Sequence, residues 1–82
     1  MNKYSADVNI SLKEGILDVQ GKAVENSLHE LDFKQLSNIR VGKIITFNVE
    51  ANSKEEAKTI VNNASKMLLA NSITEDYSIF IK

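Results

Sequence analysis

The sequence predicts an α+β domain of ferredoxin-like topology, βαββαβ, in which a four-stranded antiparallel sheet carries two helices on one face. Three observations predict it. Stretches of period two and stretches of helical period follow one another in the order β-α-β-β-α-β. Each helical stretch has a single apolar stripe, so the two together can cover only one sheet face. The first and third strands are polar on their other side, through Ser5, Asp7, Asn9, Thr46 and Asn48, as a half-covered antiparallel sheet requires. Right-handed crossovers then place the first and third strands centrally.

Each element has its own warrant. In residues 4–12, Tyr4, Ala6, Val8, Ile10 and Leu12 fall on one face and Ser5, Asp7, Asn9 and Ser11 on the other. Lys13 to Leu17 is a loop containing Gly15, and Asp18 suits the N-cap of a helix running from about Val19 to Leu31. Val24, Leu28 and Leu31 form its stripe. A second strand is expected over Leu36 to Val41 and a third over Ile45 to Ala51, with Gly42 at a turn where positive φ is wanted. A three-residue connection, Gly42-Lys43-Ile44, pairs Val41 with Ile45 and Ile39 with Phe47, which keeps their apolar side chains on one face. Arg40 then points to the open face.

The second helix opens on Ser53-Lys54-Glu55-Glu56, the form of a capping box. Ala57, Ile60, Val61, Ala64, Met67 and Leu68 make its apolar stripe, which fades at Leu69-Ala70-Asn71. The last strand, about Asp76 to Lys82, sets Tyr77, Ile79 and Ile81 against Ser78, Phe80 and Lys82.

Composition bounds the function. The 82 residues make one domain, 1–82, near the lower size at which a core suffices without staples. Absence of cysteine removes disulfides and thiolate metal sites. No segment approaches the ~20 apolar residues of a membrane span, and the first residues lack the apolar run of a signal peptide. Ten basic against eleven acidic side chains give a net charge of −1, without the basic excess usual for nucleic-acid binding. RNA-recognition modules of this topology stack bases on aromatic residues, but the matching open-face positions here are Asp7, Asn9, Thr46 and Asn48. A cytoplasmic protein with protein or small-molecule partners, no nucleic acid and no membrane is the expectation.

No constellation announces catalysis. His29 is the sole histidine, off the helical stripe and without a partner to orient it, so solvent exposure is expected. The carboxylates are scattered, and Glu55-Glu56 is explained by the helix dipole. Gly15, Gly21 and Gly42 fit no phosphate-binding fingerprint. Gly21 lowers helix stability near the start of a helix, so either backbone approaches closely there or the cost is simply tolerated. Lys13, Lys22, Arg40 and Lys43 are solvated charges or partner contacts.

Three strings carry a resemblance. They are Leu12-Lys13-x-Gly15-Ile16-Leu17-Asp18-x-Gln20-Gly21-Lys22-Ala23-Val24, then Asn38-Ile39-Arg40-Val41-Gly42-Lys43, then Lys66-x-Leu68-Leu69-Ala70-Asn71-x-Ile73-x-Glu75-Asp76-Tyr77. In order and spacing they resemble the PurS family, the small subunit of phosphoribosylformylglycinamidine synthase, over essentially the whole chain. Val19 and Ser72 depart from it, standing where the family usually has proline.

The resemblance implies a non-catalytic subunit of an ATP-dependent amidotransferase ligase complex in purine biosynthesis. That complex converts formylglycinamide ribonucleotide, with glutamine as nitrogen donor, to formylglycinamidine ribonucleotide. A large synthetase subunit uses ATP and magnesium, and a glutaminase subunit supplies ammonia from a cysteine nucleophile. The small subunit holds no cofactor and joins the other two as a homodimer, or a dimer of dimers. The contact residues expected are Lys13, Gly15, Asp18, Gln20, Gly21 and Lys22 of the first loop, Arg40, Gly42 and Lys43 of the hairpin, and Leu69, Ala70 and Asn71 of the last turn. The competing reading is a stand-alone ligand-sensing regulatory domain of the same topology. An acylphosphatase-like hydrolase ranks last, because Lys13-Glu14-Gly15 is no anion-binding arginine loop.

Overall fold

Alternating polarity makes β1, Asn2–Leu12, the central strand of the sheet in a computed structural model that describes residues 1–82. It pairs antiparallel with β2, Lys43–Ala51, and with β3, Glu75–Ile81, in the order β2-β1-β3. Val8 lies opposite Ile45 on one side and Ile79 on the other, and Ala6 opposite Phe47 and Ile81. This register brings the apolar set of all three strands to one face, because a one-residue slip would send every side chain to the other. Ala6, Val8 and Ile10 are at most 2% exposed there.

Helix α2, Lys54–Ala64, covers that face and buries Ala57 and Val61 completely. Its start is as expected, since Ser53 Oγ accepts from the Glu56 amide at 3.1 Å. The reciprocal half of the box is displaced by one residue. Glu56 reaches the backbone and side-chain nitrogens of Asn52, each at 3.4 Å.

The sheet has three strands, not the four expected. Its order is that of a ferredoxin-like sheet with the edge strand beyond β2 missing, so the predicted neighbours of β1 are correct. Residues 36–41 form no strand because the amides of Ile39 and Val41 are taken by carboxylates of α1, Val19–Glu30, and its N-cap Asp18. The Ile39 amide donates to Glu25 Oε1 at 3.3 Å, and the Val41 amide to Asp18 Oδ2 at 2.7 Å. Asn38 also adopts a left-handed φ of 55°, which interrupts the extended run. No Gly42 hairpin therefore forms. Gly42 lacks positive φ; it is needed for space, since a Cβ there would sit 2.7 Å from the Ile10 carbonyl oxygen.

Helix α1, expected on the sheet, packs substantially neither on a strand nor on α2. One helix, not two, covers the sheet. With the returning residues 37–42, α1 forms an arm, and the molecule measures 52 × 24 × 14 Å. Its radius of gyration is 16.3 Å, against about 12 Å for a compact chain of this length. Val24, Leu31, Phe33 and Leu36 on the arm are 39–67% exposed. Partly buried His29 binds the Leu36 carbonyl through Nε2 at 2.7 Å, instead of facing solvent freely as expected.

At the end of α2, Ser65–Leu69 form a π-helical turn closed by Ala70 N donating to Ser65 O at 2.9 Å. The wider turn adds one residue. Ser65 and Leu69 take the inward places, and Met67 and Leu68, expected in the core, are 85% and 84% exposed. Buried Ser65 satisfies its hydroxyl by donating to Val61 O at 2.8 Å.

Candidate partner-docking site

Strand directions bring the three strings together. β1 ends, β2 and β3 begin, and the π turn closes, all at one pole of the sheet. The turn after the π helix is built from its own polar groups. Asn71 N donates to Glu75 Oε1 at 2.7 Å, Ile73 N to Asn71 Oδ1 at 3.0 Å, and Glu75 N to Asn71 O at 2.8 Å. Lys13 joins this turn to the first loop, donating its amide to Thr74 O at 2.9 Å and its ammonium to Asp76 at 3.0 Å. Lys43 Nζ lies 3.9 Å from Glu75. These exposed pairs fix geometry more than they add stability, each contributing about 0–1 kcal/mol.

Each expected contact residue falls at this pole or the base of the arm, but not all are free to touch a partner. Gly15, Gln20, Lys22, Gly42, Lys43 and Asn71 are exposed, and Lys13 and Leu69 partly so. Asp18, Gly21 and Ala70 are buried. Asp18 Oδ1 accepts from the Gly21 amide at 2.8 Å while Oδ2 holds Val41. Gly21 packs against the Ile39 carbonyl oxygen, so the close approach left open by the sequence is to the chain's own return segment. Arg40 does not reach the open sheet face. Its guanidinium donates to the carbonyls of Leu12, Lys13 and Ile16 at 3.2–3.3 Å.

The pole's apolar side chains were missed by residue-pattern reasoning. Leu17, Val19, Met67, Leu68 and Ile73 are 71–85% exposed. Only the π turn could have signalled Met67 and Leu68, and nothing in a helical stripe announces such a turn. Leu17 and Val19 line an open cleft of ≈ 380 Å³ together with Asp18, Gln20, Val41, Gly42 and Lys43. Its buried carboxylate is already spent on two backbone amides, which suits a docking surface better than a small-ligand pocket.

The Gly21 and Val41 amides, with the Arg40 charge, hold the Asp18 carboxyl below its ordinary range despite burial. A depressed folded-state pKa means the unfolded chain binds the proton more readily. The stabilisation is full above the unfolded pKa of about 4 and is lost as pH falls through the folded value. Urea unfolding of wild type and Asp18→Asn across this acid range should therefore show a shallower pH slope for the variant. Identical slopes would count against Asp18 as an acid-sensitive tie.

Comparison with known proteins agrees with the resemblance. The PurS family model, described as phosphoribosylformylglycinamidine (FGAM) synthase, matches residues 5–82. The chain is 36% identical to subunit PurS of Bacillus subtilis over 74 residues, covering 90% of this chain and 87% of that protein. It is 39% identical to subunit PurS of Archaeoglobus fulgidus, covering 90% and 92%. The fold is similar to the B. subtilis PurS crystal structure, with TM-score 0.86, 34% identity and coverage of 96% and 98%. It also matches a chain of the Thermotoga maritima PurLQS structure, with TM-score 0.92, 29% identity and full coverage of both. This chain belongs to the PurS family, the small subunit of phosphoribosylformylglycinamidine synthase in purine biosynthesis.

Proposed function

We propose that the chain bridges a large synthetase subunit and a glutaminase subunit, without performing either chemistry, through the pole where the three family strings converge. The carrying observation is that the pole exposes Leu17, Val19, Met67, Leu68 and Ile73 while Asp18 and Arg40 are engaged internally. In this reading ATP and magnesium act on the large subunit, the glutaminase releases ammonia, and the small subunit holds the two centres so that ammonia is passed on rather than lost to water. Its effect on rate is positional. The cytoplasm is the expected location, since the pathway's substrates are soluble nucleotides.

A homodimer fits the same reading. The arm exposes Val24, Leu31, Phe33 and Leu36, the sheet leaves Ile45, Phe47, Ile79 and Ile81 half-buried, and β2 and β3 have free edges. A second copy is the simplest cover for these surfaces, and pairing of dimers would extend it. Sedimentation equilibrium at micromolar concentration should return at least twice the 9.1 kDa chain mass. A monomer alone would contradict this.

Met67→Ser with Leu68→Ser tests the pole. Both side chains already face water, so stability should change by no more than about 0.5 kcal/mol. Glutamine-dependent turnover of the reconstituted complex should fall while ammonia-dependent turnover persists. Full glutamine-dependent activity at limiting concentrations of the double variant would remove these residues from the docking surface.

A further inference from the structure

The chain contains two bodies, the sheet with α2 and the arm of α1 with residues 37–42. Little holds one to the other. Helix α1 has no substantial packing against the sheet, and the base of the arm touches it where Gly42 lies against the Ile10 backbone. The covalent links are the loop before α1 and the short step into β2. We propose that Asp18 and Arg40 are positioning residues, a lock that sets the angle of the arm to the sheet and thereby the geometry in which the chain holds its partners. The second half rests on the bridging reading above.

Their bonds lie where a hinge would be. Asp18 joins the α1 N-terminus, through Gly21 N, to the return segment, through Val41 N, at 2.8 and 2.7 Å. Arg40 joins that segment to the end of β1 and the first loop, through the carbonyls of Leu12, Lys13 and Ile16. A carboxylate accepting two amides and a guanidinium spanning three carbonyls are charge-assisted contacts of defined direction. Arg40 alone crosses from the arm to the end of β1, while Asp18 clamps to each other the two chain segments that make the hinge. The Glu25 tie to Ile39 N lies further out along the arm and touches neither link. A twelve-residue α1 is about 18 Å long, so roughly 10–20° of slack at its base moves its tip by about 3–6 Å. Displacements of that order are large where proximity supplies the rate.

Asp18→Asn separates the lock from the helix cap. Asparagine caps a helix as well as aspartate, and its oxygen can still accept from Gly21, but its NH₂ group then faces the Val41 amide as a second donor. Arg40→Ala cuts the other tie without touching the cap. Because the sequence has no cysteine, nitroxides placed on Glu30→Cys and Lys58→Cys report the arm-to-α2 distance alone. Labelled chain is diluted in unlabelled chain so that only distances within one chain are read.

Wild type should give one narrow dipolar distance distribution. Both lock variants should widen it by several ångströms with helical circular dichroism retained, and unchanged widths in both would overturn the lock. With large and glutaminase subunits present and each variant saturating, glutamine consumed per product formed should rise roughly twofold or more. A merely structural weakening would raise the amount needed for saturation and leave that ratio alone. Widened distances with an unchanged ratio would overturn the functional half. Failure of wild type to stimulate glutamine-dependent turnover would instead overturn the bridging reading, and the distance distributions would still decide the lock.

Discussion

Val8→Asp should leave the chain unfolded at room temperature. Val8 is fully buried at the centre of the middle strand, between Ile45 and Ile79 and in one cluster with Val61. That cluster contains only aliphatic side chains among its buried members, so the carboxylate would find no donor. An unpaired buried charge costs several kcal/mol even after it protonates, against a total of about 4–12 kcal/mol for a domain of this size. Val8→Ala is the graded control, with an expected loss of about 2 kcal/mol from the lost transfer energy and the small void. Far-UV circular dichroism and thermal melts read both. A cooperative melt near the wild-type midpoint for Val8→Asp would mean that this face is not the core.

Gly21→Ala should destabilise the chain although alanine is the better helix former. Propensity favours the substitution by about 1 kcal/mol. Opposing it, the new methyl would run into the Ile39 carbonyl oxygen and lie 2.8 Å from the Asp18 carboxylate. Backbone on one side and a twice-bonded carboxylate on the other cannot yield cheaply, and overpacking of this kind costs about 1–3 kcal/mol. The net expectation is a loss of about 1 kcal/mol, a fall of roughly 4–8 °C in the melting midpoint. A raised midpoint would show that the return segment moves freely and that propensity decides.

Local patterns carried much of this fold. The alternation in residues 4–12 predicted the central strand and its buried face, and Tyr77, Ile79 and Ile81 did the same for β3. Asp18 and Ser53 marked both helix starts because capping is a local contact between neighbours in sequence. The missing strand was not legible. Ile39 and Val41 carry the right side chains for one, but their amides are taken by carboxylates 14 and 23 residues earlier. Such competition appears only once the chain is folded. The π turn escaped for a related reason. Ser65 in the core and Leu68 outside it reverse the order that hydrophobicity suggests, because Ser65 satisfies its hydroxyl within the helix.

The site was legible as three strings and not as a surface. Asp18, Gly21 and Arg40 were expected among the contact residues, yet their groups are spent on holding the arm and the first loop in place. What the sequence could not convey is that the same strings also present Leu17, Met67 and Ile73 to solvent around these internal ties.

The most direct measurement is product formation by the large synthetase and glutaminase subunits, with and without this chain, using glutamine or ammonia as nitrogen source. The bridging account predicts that glutamine-dependent turnover requires the chain while ammonia-dependent turnover does not. Equal glutamine-dependent rates in its presence and absence would contradict the account.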